Sequence, residues 1–148
     1  MTDYKYPLGA AEIKELLPHR EPFLMLDEVL DCKPHESVTA VKNVQASEPH
    51  FGGHFPGNPV MPGVLQMEAM AQVAGVMLNS REGNAGKTAY FMSMNKVKFR
   101  KTVVPGDQLR IEIETSRMRS RMATVLGKAY VGEDLVSEAE LTFGYGAA

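Results

Sequence analysis

Residues 63–80 read GVLQMEAMAQVAGVMLNS, and the fold hangs on how that stretch distributes its apolar side chains. Val64, Met67, Ala69, Met70, Val73, Ala74, Met77 and Leu78 fall on nearly every side of a helix. A helix that is apolar all round is enclosed rather than laid on a surface. Glu68 and Gln72 interrupt it, and it falls short of the ~20 apolar residues of a membrane span. Glu68, Gln72, Gly75 and Asn79 recur at helical spacing and make one narrow polar stripe.

Something must enclose this helix, and the flanking chain supplies strands. Downstream, residues 88–100, 107–118, 121–132 and 134–144 are strand-like. Leu109, Ile111 and Ile113 alternate with Arg110, Glu112 and Glu114, the pattern of a sheet wet on one face. Pro105-Gly106-Asp107 and Gly132-Glu133-Asp134 supply turns. Upstream, residues 23–30 and 37–44 read as two further strands around a turn at Lys33-Pro34. Residues 10–17 have helical spacing, ended by Pro18. Residues 46–62 carry too much glycine and proline for regular structure. The expectation is an α+β fold, one domain over 1–148, with about six antiparallel strands curled around one long helix.

Composition narrows the function. With 148 residues the chain suits one core, and its net charge of −2 gives no reason to expect nucleic acid or an anionic membrane as partner. The single cysteine, Cys32, rules out an internal disulfide and fits a reducing compartment; it reads as a small core residue. The first ten residues lack a secretory apolar stretch, so the protein is expected in the cytoplasm.

Chemistry concentrates where the irregular segment meets the helix. HFPGNPVMPG, residues 54–63, delivers His54 and runs into a helix opening at Pro62-Gly63. The first N–H groups of a helix carry partial positive charge and can hold a carbonyl oxygen that gains negative charge. Glu68 lies one and a half turns further in. A carboxylate there is costly unless paired, hydrogen-bonded or beside a wet cavity. Two readings stand: a structural polar network across a helix contact, or a site carboxylate with a partner. His54 is the natural partner, because histidine changes charge within the physiological range. A His base and a carboxylic acid on opposite sides of a substrate remove one proton and deliver another.

HFPGNPVMPGVLQMEAMAQ, residues 54–72, closely resembles the signature of the 3-hydroxyacyl-acyl carrier protein dehydratases of the FabZ type. LPHREPFLMLD, 17–27, and KFRKTVVPGDQL, 98–109, resemble two further blocks of that family in the same order. The resemblance implies the hot-dog fold and a reversible elimination of water from 3-hydroxyacyl thioesters, giving trans-2-enoyl products in fatty acid synthesis. It implies dimers that share one continuous sheet, assembled as a trimer of dimers. His54 matches the catalytic histidine and Glu68 the catalytic glutamate, meeting across the dimer interface. Gly63, Val64 and Phe55 are carried over as substrate-binding positions. Acyl carrier protein is the implied partner, and no metal or organic cofactor is implied. Glutamate at 68, where the isomerising relatives usually carry aspartate, favours plain dehydration. His50 stands where the family often has an aromatic and is read as a solvent-exposed substitution.

Other features are less specific. Lys96, Lys98 and Arg100 share a strand face by alternation, as do Arg117, Arg119 and Arg121. These are ordinary wet faces or a docking surface for an acidic carrier protein. Tyr90, Phe91 and Met92 are candidates to line an acyl tunnel. His19 and Arg20 are left out of the active site. Competing readings are a thioesterase, a CoA-linked hydratase and a non-catalytic acyl-binding subunit.

Overall fold

The computed structural model describes residues 4–80 and 84–145. Its elements run α1 (Ala10–Leu16), β1 (Glu28–Lys33), β2 (Ser37–Asn43), a 3-10 turn (Pro49–Gly52), α2 (Gly63–Asn79), β3 (Ala89–Phe99), β4 (Gln108–Met118), β5 (Met122–Val131) and β6 (Asp134–Tyr145). The six strands form one antiparallel sheet in the order β1-β2-β4-β5-β6-β3. The expected long helix and curled six-stranded sheet are both present.

One periodicity explains the enclosure. Leu109, Ile111 and Ile113 of β4, Ala123, Val125 and Ala129 of β5, and Leu141 and Phe143 of β6 are buried on the face toward α2. Burying each large aliphatic side chain contributes roughly 1.5–3 kcal/mol. Facing them, α2 is buried at Met67, Met70, Val73, Ala74 and Met77. Helix and sheet approach closely at Gly127, where an added Cβ would lie 2.9 Å from Met70 Sδ. Leu8, Ile13, Leu16 and Leu17 belong to the same core.

Two expectations change. The apolar run at 23–26 does not begin a strand; β1 starts at Glu28. Phe23 and Leu24 donate to the Arg20 carbonyl in a turn, and the Met25 N–H is taken by the Gln72 side chain instead of a neighbouring strand. Apolarity here marks contact with α2, not membership of the ladder. The cationic alternation also breaks. Lys96 has φ 52° at a bulge between Asn95 and Lys98, so Lys96 and Lys98 lose their common register. Arg100 lies beyond β3 and pairs with Glu138 at 2.8 Å. Arg119 and Arg121 belong to the β4–β5 turn, beyond the end of β4, and only Arg117 of that trio is in the strand.

The sheet edges differ. Leu8 bonds back onto β1 at Val29 in both directions. β3 has β6 on one side and no described strand on the other. Tyr90, Met92 and Met94 on it are 60%, 58% and 48% exposed.

Candidate active site

His54 is held by short local bonds. Pro49–Gly52 forms the 3-10 turn, and the His54 N–H donates to the His50 carbonyl at 3.0 Å. Phe51 of the turn is buried and pins it to the core. The His54 Nδ1 lies 2.6 Å from the Val60 carbonyl oxygen. A carbonyl only accepts, so in the neutral ring Nδ1 carries the hydrogen and Nε2 presents its lone pair. Phe55 adopts φ 61°, lies exposed and stacks at 4.2 Å from the His54 ring.

The loop then closes on the helix. The Met61 N–H donates to the Val103 carbonyl at 2.7 Å, and Met61 itself is buried. Leu65 and Gln66 donate to the Pro62 carbonyl, and the Gly63 and Val64 N–H groups lie ahead of them at the helix opening, where no carbonyl of the helix can reach. Gly63 is there because the Phe99 ring covers it: an added Cβ would lie 2.7 Å from Phe99 Cε1. Val64 is exposed beside it.

Glu68 sits in a different set of contacts. Its Oε2 accepts from Gln72 Nε2 at 2.9 Å and lies 3.6 Å from His19 Nε2. Gln72 is fully buried and fully used: Nε2 also donates to the Phe23 carbonyl, and Oε1 accepts the Met25 N–H at 2.7 Å. Both sequence readings of the polar stripe therefore have a bearer. Gln72 ties the 23–25 segment to the helix, and Glu68, its side chain 18% exposed, lines a pocket of about 50 Å³. His19 lines the same pocket; its Nδ1 is enclosed with no hydrogen-bond partner among the described residues. Residue type and spacing offer no chemical reason to choose His19. Its signal is tertiary: Leu17-Pro18-His19 lies across the pocket from α2.

Within one chain His54 and Glu68 are not brought together. They share no hydrogen bond or ion pair, and His54 is not among the residues lining the Glu68 pocket. Phe91 lines that pocket, whereas Tyr90 and Met92 do not.

Two charged groups behind His54 escaped sequence reasoning. Lys42 is buried on β2 and meets Glu48 at 2.7 Å. Glu48 precedes the 3-10 turn, and its Oε2 takes the Gln45 N–H. A buried charge needs such a partner, so the pair fastens the histidine loop to the sheet. His50 corrects a second expectation: it is half-buried, its Nε2 is enclosed without a hydrogen-bond partner among the described residues, and its ring lies 4.3 Å from Phe51. Burial holds its pKa below the ordinary histidine value; Glu48 opposes this, and Lys42 and His54 add to it.

A histidine with a fixed tautomer, a helix opening and a pocket carboxylate on one buried helix define a hot-dog-fold protein equipped for acid–base chemistry. The chain belongs to the FabA-like family, whose domain matches residues 17–140. It is 51% identical over 134 residues to a 3-hydroxyacyl-[acyl-carrier-protein] dehydratase FabZ of Desulforamulus reducens, covering 90% of this chain and 94% of that one. It is 54% identical over 132 residues to the protein of that name in Geotalea uraniireducens, covering 88% and 91%. Among solved structures, the dehydratase heterocomplex ApeI:P of Xenorhabdus doucetiae superposes with a TM-score of 0.80 at 17% identity, covering 90% of both chains. The virulence protein Cj0977 of Campylobacter jejuni does so at 0.70 and 14%, covering 93% of this chain and 90% of that one. At such identities the likeness speaks for the fold alone.

Proposed function

We propose that this chain works as a 3-hydroxyacyl-acyl carrier protein dehydratase of fatty acid biosynthesis, with His54 and Glu68 as its acid–base pair. The activity follows from relatives of that name at about half identity over nine-tenths of the chain. The observation that carries the residue assignment is the Val60 carbonyl on His54 Nδ1, which leaves Nε2 free as a base.

The reaction balances with these groups alone. His54 Nε2 takes a proton from the carbon beside the thioester carbonyl. The Gly63 N–H, with Val64 next to it, holds the carbonyl oxygen as negative charge builds there. Phe55 flanks the histidine on the substrate side. Protonated Glu68 gives its proton to the β-hydroxyl, which leaves as water as the double bond forms. The proton on His54 then returns to Glu68, and the product is a trans-2-enoyl thioester. No electron acceptor, metal or organic cofactor enters this scheme.

The same reading makes a homodimer the minimal active unit. Glu68 lacks His54 in its own pocket, and β3 offers a long apolar edge to a second copy. Pairing two β3 strands makes one continuous sheet and lets His54 of one chain serve Glu68 of the other. Three such dimers make the hexamer that the family resemblance implies. A cytoplasmic location fits a carrier-protein substrate, and no described helix is long and apolar enough to cross a membrane.

The deciding experiment follows enoyl formation from 3-hydroxybutyryl-acyl carrier protein. His54→Ala and Glu68→Ala should each lose ~10²–10⁴-fold in kcat while remaining folded. A mixture of the two inactive variants should regain activity, because a mixed dimer holds one intact site. Free acid as product would favour a thioesterase instead, and binding without turnover a non-catalytic acyl carrier.

A further inference from the structure

His19 reaches Glu68 from outside α2, and the acid–base steps leave it without a role. Its Nε2 lies 3.6 Å from Glu68 Oε2, and both residues line the same pocket. The segment that carries His19 is held on both sides. Leu16 and Leu17 are buried, and Asn79 Nδ2 of α2 donates to the Leu16 carbonyl at 2.8 Å. Arg20 Nη1 donates to the Leu17 carbonyl at 2.9 Å and to the His19 carbonyl at 2.6 Å. Pro18, with its fixed φ, stiffens the link between them.

The surroundings decide where the His19 hydrogen sits. Its Nδ1 is enclosed and has no hydrogen-bond partner among the described residues. A neutral ring carries one N–H. On Nδ1 that hydrogen would be a buried, unmatched donor, and the Nε2 lone pair would face a carboxylate oxygen. On Nε2 it sets an N–H beside Oε2, the arrangement a carboxylate favours. The Gln72 amide cannot flip, because its Oε1 takes the Met25 N–H. Glu68 Oε2 thus faces two donors, Gln72 Nε2 at 2.9 Å and His19 Nε2 at 3.6 Å. The second contact is longer than a full hydrogen bond, as bonds in empty sites often are before substrate tightens them. Oε1 makes no hydrogen bond or ion pair among the described residues.

We propose that His19 is a positioning residue for the acid step: with Gln72 it holds Oε2 of Glu68, so that Oε1 is the oxygen that carries the proton and gives it up. This inference rests on the dehydratase reading. The Oε1–H bond breaks as the proton passes to the β-oxygen, and the bond from that oxygen to the β-carbon breaks as water leaves. The electron pair of the former C–H bond becomes the double bond. The carboxylate left on Glu68 spreads its charge over both oxygens, and the donors already in place at Oε2 meet it. Donors fixed in advance act as the charge develops and cost no reorientation at that moment. His19 acts through Glu68 and not on the substrate, so its effect belongs to turnover rather than to affinity.

The test measures kcat and KM on 3-hydroxybutyryl-acyl carrier protein for the wild type, His19→Phe and His19→Gln. Phenylalanine keeps the ring and loses both nitrogens, whereas glutamine restores an N–H near the place of Nε2. His19→Phe should lower kcat by ~10-fold or more with KM little changed, and His19→Gln should recover most of that loss. Nitrogen NMR of labelled histidines in the wild-type protein, with the His19 signal assigned by its absence from His19→Gln, should show the hydrogen on Nε2. Circular dichroism checks the variants, and the NMR measurement decides in the unaltered protein should His19→Phe not fold. Unchanged kcat in folded His19→Phe, a loss carried by KM alone, His19→Gln as slow as His19→Phe, or a hydrogen on Nδ1 would each overturn the role of His19 and leave the dehydratase reading standing. A wild-type protein that forms no enoyl product would overturn that reading instead.

Discussion

β1 and β3 are the two edges of one sheet, and the chain finishes them in opposite ways. β1 is six residues long, and Leu8 closes it with two backbone bonds at Val29. β3 is eleven residues long, open on one side, and exposes Tyr90, Phe91, Met92, Met94 and Phe99. Short and covered edges end a sheet, whereas long apolar ones pair with another chain. The same β3 packs Phe99 on Gly63 at the helix opening and Phe91 in the Glu68 pocket. In the proposed dimer, assembly and the candidate site share β3, while β1 is closed off by its own chain.

The sharpest way to break this contrast is to charge the open edge. Met94→Asp places a carboxylate on β3 twice in a two-fold interface, losing ~1.5–3 kcal/mol of apolar burial at each copy besides the desolvation cost. Light scattering should show monomers with an intact circular dichroism spectrum and ~10²-fold less dehydration. A fully active dimer would refute β3 pairing. The matching change at the covered edge is Leu8→Ala. Chemical denaturation should record a loss of ~2–5 kcal/mol, with assembly unchanged in the remaining folded protein.

Gln72→Ala removes two bonds between α2 and the segment leading into β1 and a third to Glu68 on α2 itself, leaving the Met25 N–H and Phe23 carbonyl unmatched. A loss of ~1–3 kcal/mol is expected, with activity falling because Glu68 loses its donor. Unchanged activity in a destabilised variant would confine Gln72 to holding the fold.

The smallest effect concerns pH. Burial makes the folded chain bind a proton at His50 less readily than the unfolded chain does. The neutral ring's contribution is present above the ordinary value of 6.5 and is lost as pH falls through it toward the lowered value. Melting temperatures measured from about pH 8 to about pH 5 should fall less steeply for His50→Phe than for the wild type. Parallel curves would show that His50 does not carry this dependence.

Much of the architecture could be read before any coordinates. The α2 segment is apolar on all sides, β4 and β6 alternate cleanly, and the glycine and proline turns bound them. Where a residue's burial depends only on near neighbours, periodicity reports it. The segment at 23–26 deceived the same logic because its apolar side chains answer to α2 and its backbone to Gln72, 47 residues away from Met25. The bulge at Lys96 was equally invisible, since alternation assumes an unbroken register.

The site divides along the same line. The sequence by itself determined the candidate groups, a histidine after glycines, a helix opening at Pro62-Gly63, and a carboxylate on an otherwise apolar helix, because each depends on residue type and local spacing. Only the tertiary structure decided their surroundings: the Val60 carbonyl that sets the His54 tautomer, His19 beside Glu68, the Lys42–Glu48 pair under the loop, and the open edge of β3. Those depend on distant segments meeting in space, where burial and hydrogen-bond satisfaction leave each polar atom few partners, and no spacing along the chain records that meeting.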